Sequence, residues 1–289
     1  MMDIRQLKQS KILVIGDACL DMYHFGTCTR LSPEAPVPIF QLLRREEKYG
    51  MSANVVDNLK GLGNKVDMIV NEQKIYKHRY IDERTMQHLL RVDEGDDKKI
   101  NELTNERIDN IRLKKYDAVV ISDYDKGFLT YEKIERLLER VYQEAPDLPV
   151  FIDTKKSNFS IFGNHSHCII KINEHEYQNV DDDLLDREAC ELVVTLGKNG
   201  AWWMNENKYY QTNETSVFDV CGAGDTFLAG LVTAYLSSKQ SMDESIIFAN
   251  KCASFAVKKL GTYAIKKEDI SGIMSVSYTH LRAHETGRN

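Results

Sequence analysis

Between Asp219 and Gly230 the chain reads Asp-Val-Cys-Gly-Ala-Gly-Asp-Thr-Phe-Leu-Ala-Gly, with carboxylates on either side of Gly222, Ala223 and Gly224. Small residues let the backbone turn tightly and bring bare N–H groups close to a ligand. From Thr226 to Leu236 apolar residues recur at helical spacing, so the turn opens a helix. The unpaired N–H groups and positive dipole end there favour an anion. Asp225 lies inside this turn. A carboxylate beside an anion hole can take the proton from a hydroxyl that attacks a phosphoryl group. Asp is also a good helix cap, and its position alone leaves both readings open.

Such a turn needs a scaffold, and the sequence supplies an alternating one. Lys11–Gly16, Ala118–Ser122, Val150–Asp153, Ile169–Ile172 and Leu192–Leu196 are short apolar runs of the kind that form buried strands. Helical patterns cover Ala53–Leu62, Tyr131–Gln143, Thr226–Ser237 and Asp243–Leu260. Strands alternating with helices imply an α/β fold with a mainly parallel sheet covered on both faces. Ligands in such sheets bind at the carboxyl ends of the strands. Val37–Leu43, Val66–Val70 and Arg79–Val92 alternate differently and read as exposed β-ribbons outside the main sheet.

The 289 residues are 42% hydrophobic and 28% charged, an ordinary balance for a cytoplasmic globular protein. A net charge of −6 argues against general binding to nucleic acid or anionic membranes. The six cysteines (Cys19, Cys28, Cys168, Cys190, Cys221 and Cys252) include no Cys-x-x-Cys pair, which suggests neither a zinc site nor a disulfide framework. No apolar run approaches bilayer length, and Met1–Ser10 is not signal-like. There is no Gly-x-x-x-x-Gly-Lys-Ser/Thr loop and no dinucleotide fingerprint.

The run Asp-x-x-Gly-Ala-Gly-Asp-x-Phe-x-x-Gly resembles the C-terminal signature of the ribokinase/PfkB family of sugar kinases. The resemblance implies a three-layer α/β/α fold of the ribokinase type with a small β-sheet lid over the sugar. It makes Asp225 the catalytic base, gives the phosphate-holding amides to Gly222, Ala223 and Gly224, and sets Asp219 beside a monovalent-cation (K⁺) site. The lid falls at about 36–48 and 66–93 and is the expected contact of a homodimer. Cofactors implied are ATP and Mg²⁺.

Ile15-Gly16-Asp17-Ala18-Cys19-Leu20-Asp21 and Ser32-Pro33-Glu34-Ala35-Pro36-Val37-Pro38 look like the heptose 7-phosphate kinases of that family. That implies transfer of phosphate to the anomeric hydroxyl of D-glycero-β-D-manno-heptose 7-phosphate, on the way to lipopolysaccharide precursors. Asp17 and Asp21 follow a strand, where carboxylates can accept sugar hydroxyls; the alternatives are a turn residue and a solvated helix residue. Gly50-Met51-Ser52-Ala53-Asn54 stands where the family has Gly-Gly-x-x-Asn. It offers Asn54 to the sugar and sets at Met51 a side chain expected to avoid a glycine-only conformation and to crowd the substrate. After Val70 the chain passes almost directly to Lys74–Tyr80, so one βα unit of the fuller family members is expected to be missing. Arg79 and Arg91 could hold the sugar's phosphate or be ordinary lid charges.

Ser122-Asp123-Tyr124-Asp125-Lys126-Gly127 is similar to a family turn that points Asp123 and Lys126 into the crevice. Lys155 faces the nucleotide phosphates or solvent. Asn173-x-x-Glu176 resembles the motif that organises Mg²⁺ and phosphate, and such an amide and carboxylate suit an ion held largely through its waters. Thr195, Gly197 and Gly200 resemble the turn bordering the nucleotide, and Asn250 the helix flanking the adenine, although a helix-surface role fits Asn250 equally. Ser275–Thr286 looks like translated library adapter rather than evolved sequence. The expected organisation is therefore a single kinase domain over 1–274 and a non-native tail over 275–289.

Overall fold

A computed structural model describes residues 7–96, 100–162, 168–180, 190–212, 217–238 and 240–275. In chain order the first elements are β1 (Lys11–Gly16), β2 (Ala18–Leu31), β3 (Pro38–Met51), α1 (Ser52–Gly61), β4 (Lys65–Val70), β5 (Tyr76–Asp82) and β6 (His88–Glu94). The middle of the chain forms α2 (Asn105–Asp109), β7 (Ala118–Asp123), α3 (Tyr131–Glu144), β8 (Val150–Thr154), β9 (Cys168–Asn173) and α4 (Glu174–Tyr177). It closes with β10 (Cys190–Thr195), β11 (Ala201–Trp203), β12 (Lys208–Tyr210), α5 (Ala223–Ser237), α6 (Met242–Ala256) and α7 (Ile270–Ser275).

The main sheet runs β12-β11-β10-β9-β8-β7-β1-β4. Its members from β10 to β4 are parallel, and β11 and β12 close one side antiparallel. Apolar residues leave both faces of these strands. Leu13, Val119, Ile121, Ile152 and Ile170 pack toward α3, while Val14, Val120, Phe151, Ile169 and Val193 pack toward α5 and α6. The result is a mainly parallel sheet covered on both faces, as the alternating pattern implies, in the ribokinase-like three-layer α/β/α arrangement that the resemblance implies.

Helix α5 carries Gly230 in its interior, at a cost of about 1 kcal/mol against Ala. Phe227, Leu228, Leu231 and Val232 are buried on it, at about 1.5–3 kcal/mol each, so packing outweighs propensity. Gly230 is required for close approach, since a Cβ there would lie 3.0 Å from the Ala249 Cα of α6. Helix α6 ends at Ala256, short of the expected Leu260, and the chain then turns through Gly261 at φ 69°.

A second sheet, ordered β3-β2-β5-β6, forms the lid, and its boundaries correct the sequence reading twice. Val66–Val70 does not belong to it. That segment is β4, parallel to β1 at the edge of the main sheet, and its half-exposed alternation is that of an edge strand rather than a lid ribbon. The lid's longest inner strand, the 14-residue β2, went unnoticed because Asp21, His24 and Thr27 interrupt its apolar residues. Asp21 is accordingly a strand residue and not a helical one. One lid face buries Tyr23, Phe25 and Ile81 against Leu260. The other stacks His24 on His78 and Tyr80, with His24 Nε2 2.9 Å from His78 Nδ1, and exposes Leu42, Leu90 and Val92. Five residues, Asn71–Ile75, carry the chain from β4 to β5. The suspected adapter tail, apart from Ser275, lies outside the described residues.

Candidate active site

Strands β1, β7, β8 and β9 end together in register, Gly16 beside Ser122, Ser122 beside Asp153, and Asp153 beside Lys171. Their carboxyl ends and the first turn of α5 enclose a cleft of about 120 Å³ lined by Asp123, Tyr124, Asp153, Lys155, Lys171, Asn173, Glu176, Gly222, Gly224 and Asp225. The lining is almost wholly polar, which suits a charged ligand.

Gly222 caps α5 in the left-handed conformation at φ 75°, and a Cβ there would lie 2.6 Å from Asn54 Nδ2. Ala223 N–H reaches the Val220 carbonyl at 3.2 Å, whereas the N–H groups of Gly224 and Asp225 meet no acceptor among the described residues. An anion hole therefore remains, made by the second and third amides of the helix.

Asp225 is the third helical residue, 3% exposed, and does not cap its own helix. Its Oδ2 accepts from Asn54 Nδ2 at 2.8 Å and its Oδ1 from the Tyr124 hydroxyl at 2.6 Å. Burial pushes its pKa up to about 6, against the opposing pull of these two hydrogen bonds. A buried carboxylate poised near neutrality at the mouth of an anion hole fits a general base better than a cap.

Tyr124 and Lys171 were missed as site residues. Tyr124 follows β7 directly, and Asp17 Oδ2 accepts its N–H at 2.8 Å. Its motif pointed to the turn, but an aromatic beside the Asp225 carboxylate left no mark in the spacing. Lys171 pairs with Asp153 at 2.8 Å, with both side chains largely buried. It is embedded in an apolar strand, so its charge was the available signal.

The other expected residues divide between the cleft and the scaffold. Asn54 and Asp123 approach the cleft, but Asp123 is engaged by Thr154 Oγ1 at 2.7 Å and by Lys156 Nζ at 3.3 Å. Asp17 is fully buried and fastens the Tyr124–Lys126 turn, so the turn alternative describes it rather than an open sugar contact. Burial first, and Asp123 second, push its pKa up to about 6. Asp21 is held by Arg79 Nε at 3.1 Å and Nη2 at 2.9 Å, on the face of the lid that carries Tyr23. Arg91 pairs with Asp93 along its own strand, and Lys126 with Asp96 at 2.7 Å.

Lys155 Nζ meets Glu176 Oε1 at 2.6 Å. Asn173 and Glu176 form a reciprocal capping box at the start of α4. Burial alone would raise the Glu176 pKa, but Lys155 and the Asn173 N–H outweigh it and hold the carboxyl below its usual range. Thr195 stands beside Asn173 in register, and Gly197 (φ 57°) and Gly200 (φ 93°) shape the following turn. Asn250 lies away from this lining and is buried rather than on the helix surface; its amide donates to the Tyr210 carbonyl and ties α6 to β12.

Met51 overturns its expectation. It adopts φ 57° and ψ −137°, the conformation that should have demanded glycine, and its side chain is buried in the core beside Cys19 and Ile75 rather than projecting at the sugar. The lid strand on one side and α1 on the other impose the backbone, at a cost of about 1–3 kcal/mol.

No group of three or more His, Cys, Asp or Glu side chains among the described residues could hold a metal by itself. Asn173 and Glu176 present an amide and a carboxylate to the cleft, a donor set that suits magnesium coordinated mostly by water and phosphate oxygen. Asp219 is different: Oδ1 accepts from Cys221 N–H and Oδ2 from Gly261 N–H, both at 2.9 Å. Its carboxylate organises two turns.

A family model for pfkB family carbohydrate kinases matches residues 98–269. The chain is 33% identical to a bifunctional protein HldE of Nitratiruptor sp., over 90% of its own length and 64% of that protein's. It is 31% identical to a bifunctional protein HldE of Sulfurimonas denitrificans, over 95% and 67%. The chain thus spans about two thirds of the length of these curated relatives. Phosphofructokinase-2 from Escherichia coli, solved in complex with potassium, aligns with a TM-score of 0.69 at 15% identity, covering 92% of this chain and 98% of that one, a likeness of fold. With the matched family model and the shared architecture, the chain belongs to the pfkB family of carbohydrate kinases and is a sugar kinase.

Proposed function

We propose that the protein phosphorylates the anomeric hydroxyl of a heptose 7-phosphate from ATP, giving the 1,7-bisphosphate. The observation that carries the transfer chemistry is Asp225, buried, held by Asn54 and Tyr124, beside the free N–H groups of Gly224 and Asp225. Asp225 takes the hydroxyl proton; the sugar oxygen forms a bond to the γ-phosphorus as the bond to the β–γ bridging oxygen breaks, and ADP leaves with that electron pair. The amides at the start of α5 stabilise charge on the transferring group. Asn173 and Glu176 would hold Mg²⁺, which when bound offsets phosphate charge. No step is assigned to a monovalent ion at Asp219. ATP as donor fits a cytoplasmic reaction, and the lid is proposed to form a homodimer contact. We assign this chemistry to one domain over 1–274.

The heptose assignment is supported by the likeness to the HldE proteins and by the Ser32–Pro38 run. A second reading is favoured by a specific observation. Arg79 and Arg91 are both ion-paired within the lid, which suits an unphosphorylated sugar. A coupled ADP-release assay across heptose 7-phosphate, other sugar phosphates and free sugars decides between them. Turnover confined to free sugars rejects the heptose phosphate, and no turnover with any sugar rejects this kinase assignment.

A further inference from the structure

The cleft holds one buried cation that the chemistry above leaves unused. Lys171 is 4% exposed, and its Nζ lies 2.8 Å from Asp153 Oδ2 on the neighbouring strand. Phe151 and Ile169 precede this pair on the same sheet face and pack beneath α5, so the pair continues that row to the foot of the helix's first turn. A Cβ added at Gly224 would lie 2.9 Å from Lys171 Nζ. Glycine at that position therefore admits the ammonium to the anion hole as well as freeing the backbone. Lys155, the other lysine lining the cleft, is more exposed and already bound to Glu176.

We propose, on the basis of the kinase reading above, that Lys171 is a catalytic residue whose ammonium swings from Asp153 to the phosphoryl group as it passes from ATP to the sugar. It stays protonated throughout, forms no bond and transfers no proton; Asp225 alone receives the hydroxyl proton. Asp153 serves as the resting partner that keeps the cation charged in a buried place. A positive charge in a water-poor site is worth most where negative charge develops in the transition state.

Lys171→Met alone would strand a buried carboxylate, so the test uses Lys171→Met with Asp153→Asn, in the full chain, with a thermal melt to establish folding. Turnover is expected to fall about 10²–10³-fold, the usual loss for one such donor. ATP affinity, measured by calorimetry, is expected to stay within about threefold, because the contact forms only as the group transfers. Inhibition by ADP with aluminium fluoride, a mimic of the transferring group, should weaken by the same factor as turnover. A folded double variant that keeps turnover within about threefold, or that loses ATP binding as much as turnover, overturns the proposal while the kinase reading stands. A wild-type protein without ATP turnover on any sugar overturns both.

Discussion

At the scale of single residues, Asp225 links activity to pH. A base with a pKa of about 6 must be ionised to act, so kcat/KM is expected to fall tenfold per pH unit below about 6 and to level off above it. A profile flat down to pH 5 would remove Asp225 from the role of base. The same residue opposes stability. Its folded pKa stands above the ordinary carboxylate value, so its contribution is fully present below about pH 4 and is lost as pH rises through about 6. Above that range the ionised group costs of the order of 3 kcal/mol relative to a solvated one. Asp225→Asn is expected to reduce turnover about 10²–10⁴-fold with ATP binding retained. Its melting temperature should exceed that of the wild type at pH 8, with the gap about halved at pH 5 and closing only below about pH 4. Asp225 was legible in the sequence because its neighbours form a long signature. Tyr124 and Lys171 were not, since their importance comes from strands and turns that meet only in the folded chain.

At the scale of elements, the junction at Gly222 joins three segments: α5, α1 through Asn54, and the Thr262 turn. Alanine there meets a left-handed backbone and sets a methyl group 2.6 Å from the Asn54 amide. Gly222→Ala is expected to destabilise by about 1 kcal/mol or more and to lower turnover by displacing Asn54 from Asp225. Urea unfolding and steady-state kinetics on the same preparation measure both effects, and unchanged turnover would show that Asn54 is not required to hold the base. The parallel strands were readable because buried strands are continuous apolar runs. Strand β2 was hidden because both its faces are covered: Asp21 is buried on the face of Tyr23 and Phe25, where a half-buried strand would carry an apolar side chain, and His24 is buried on the opposite face, where it would carry an exposed one. Met51 shows the converse: residue type argued against a conformation that tertiary packing enforces.

At the scale of the whole molecule, the outer lid face carries Leu42, Leu90 and Val92, which are 40%, 57% and 42% exposed. Pairing of two lids would cover these side chains. Sedimentation is expected to give a dimer for the wild type and a monomer for Leu90→Glu with Val92→Lys; a monomeric wild type removes the lid contact. Lid and sheet were distinguishable in sequence only where their periods differed, and β4, polar on one side, was therefore assigned to the wrong one.

That strand has a consequence for handling the protein. As the outermost member of its sheet among the described residues, β4 leaves a row of main-chain donors and acceptors open to any extended chain nearby. Lys65 and Asp67, both exposed there, act as charged guards against such recruitment. Replacing both with threonine should lower refolding yield as protein concentration rises, with light scattering as the readout, while a dilute sample folds as before.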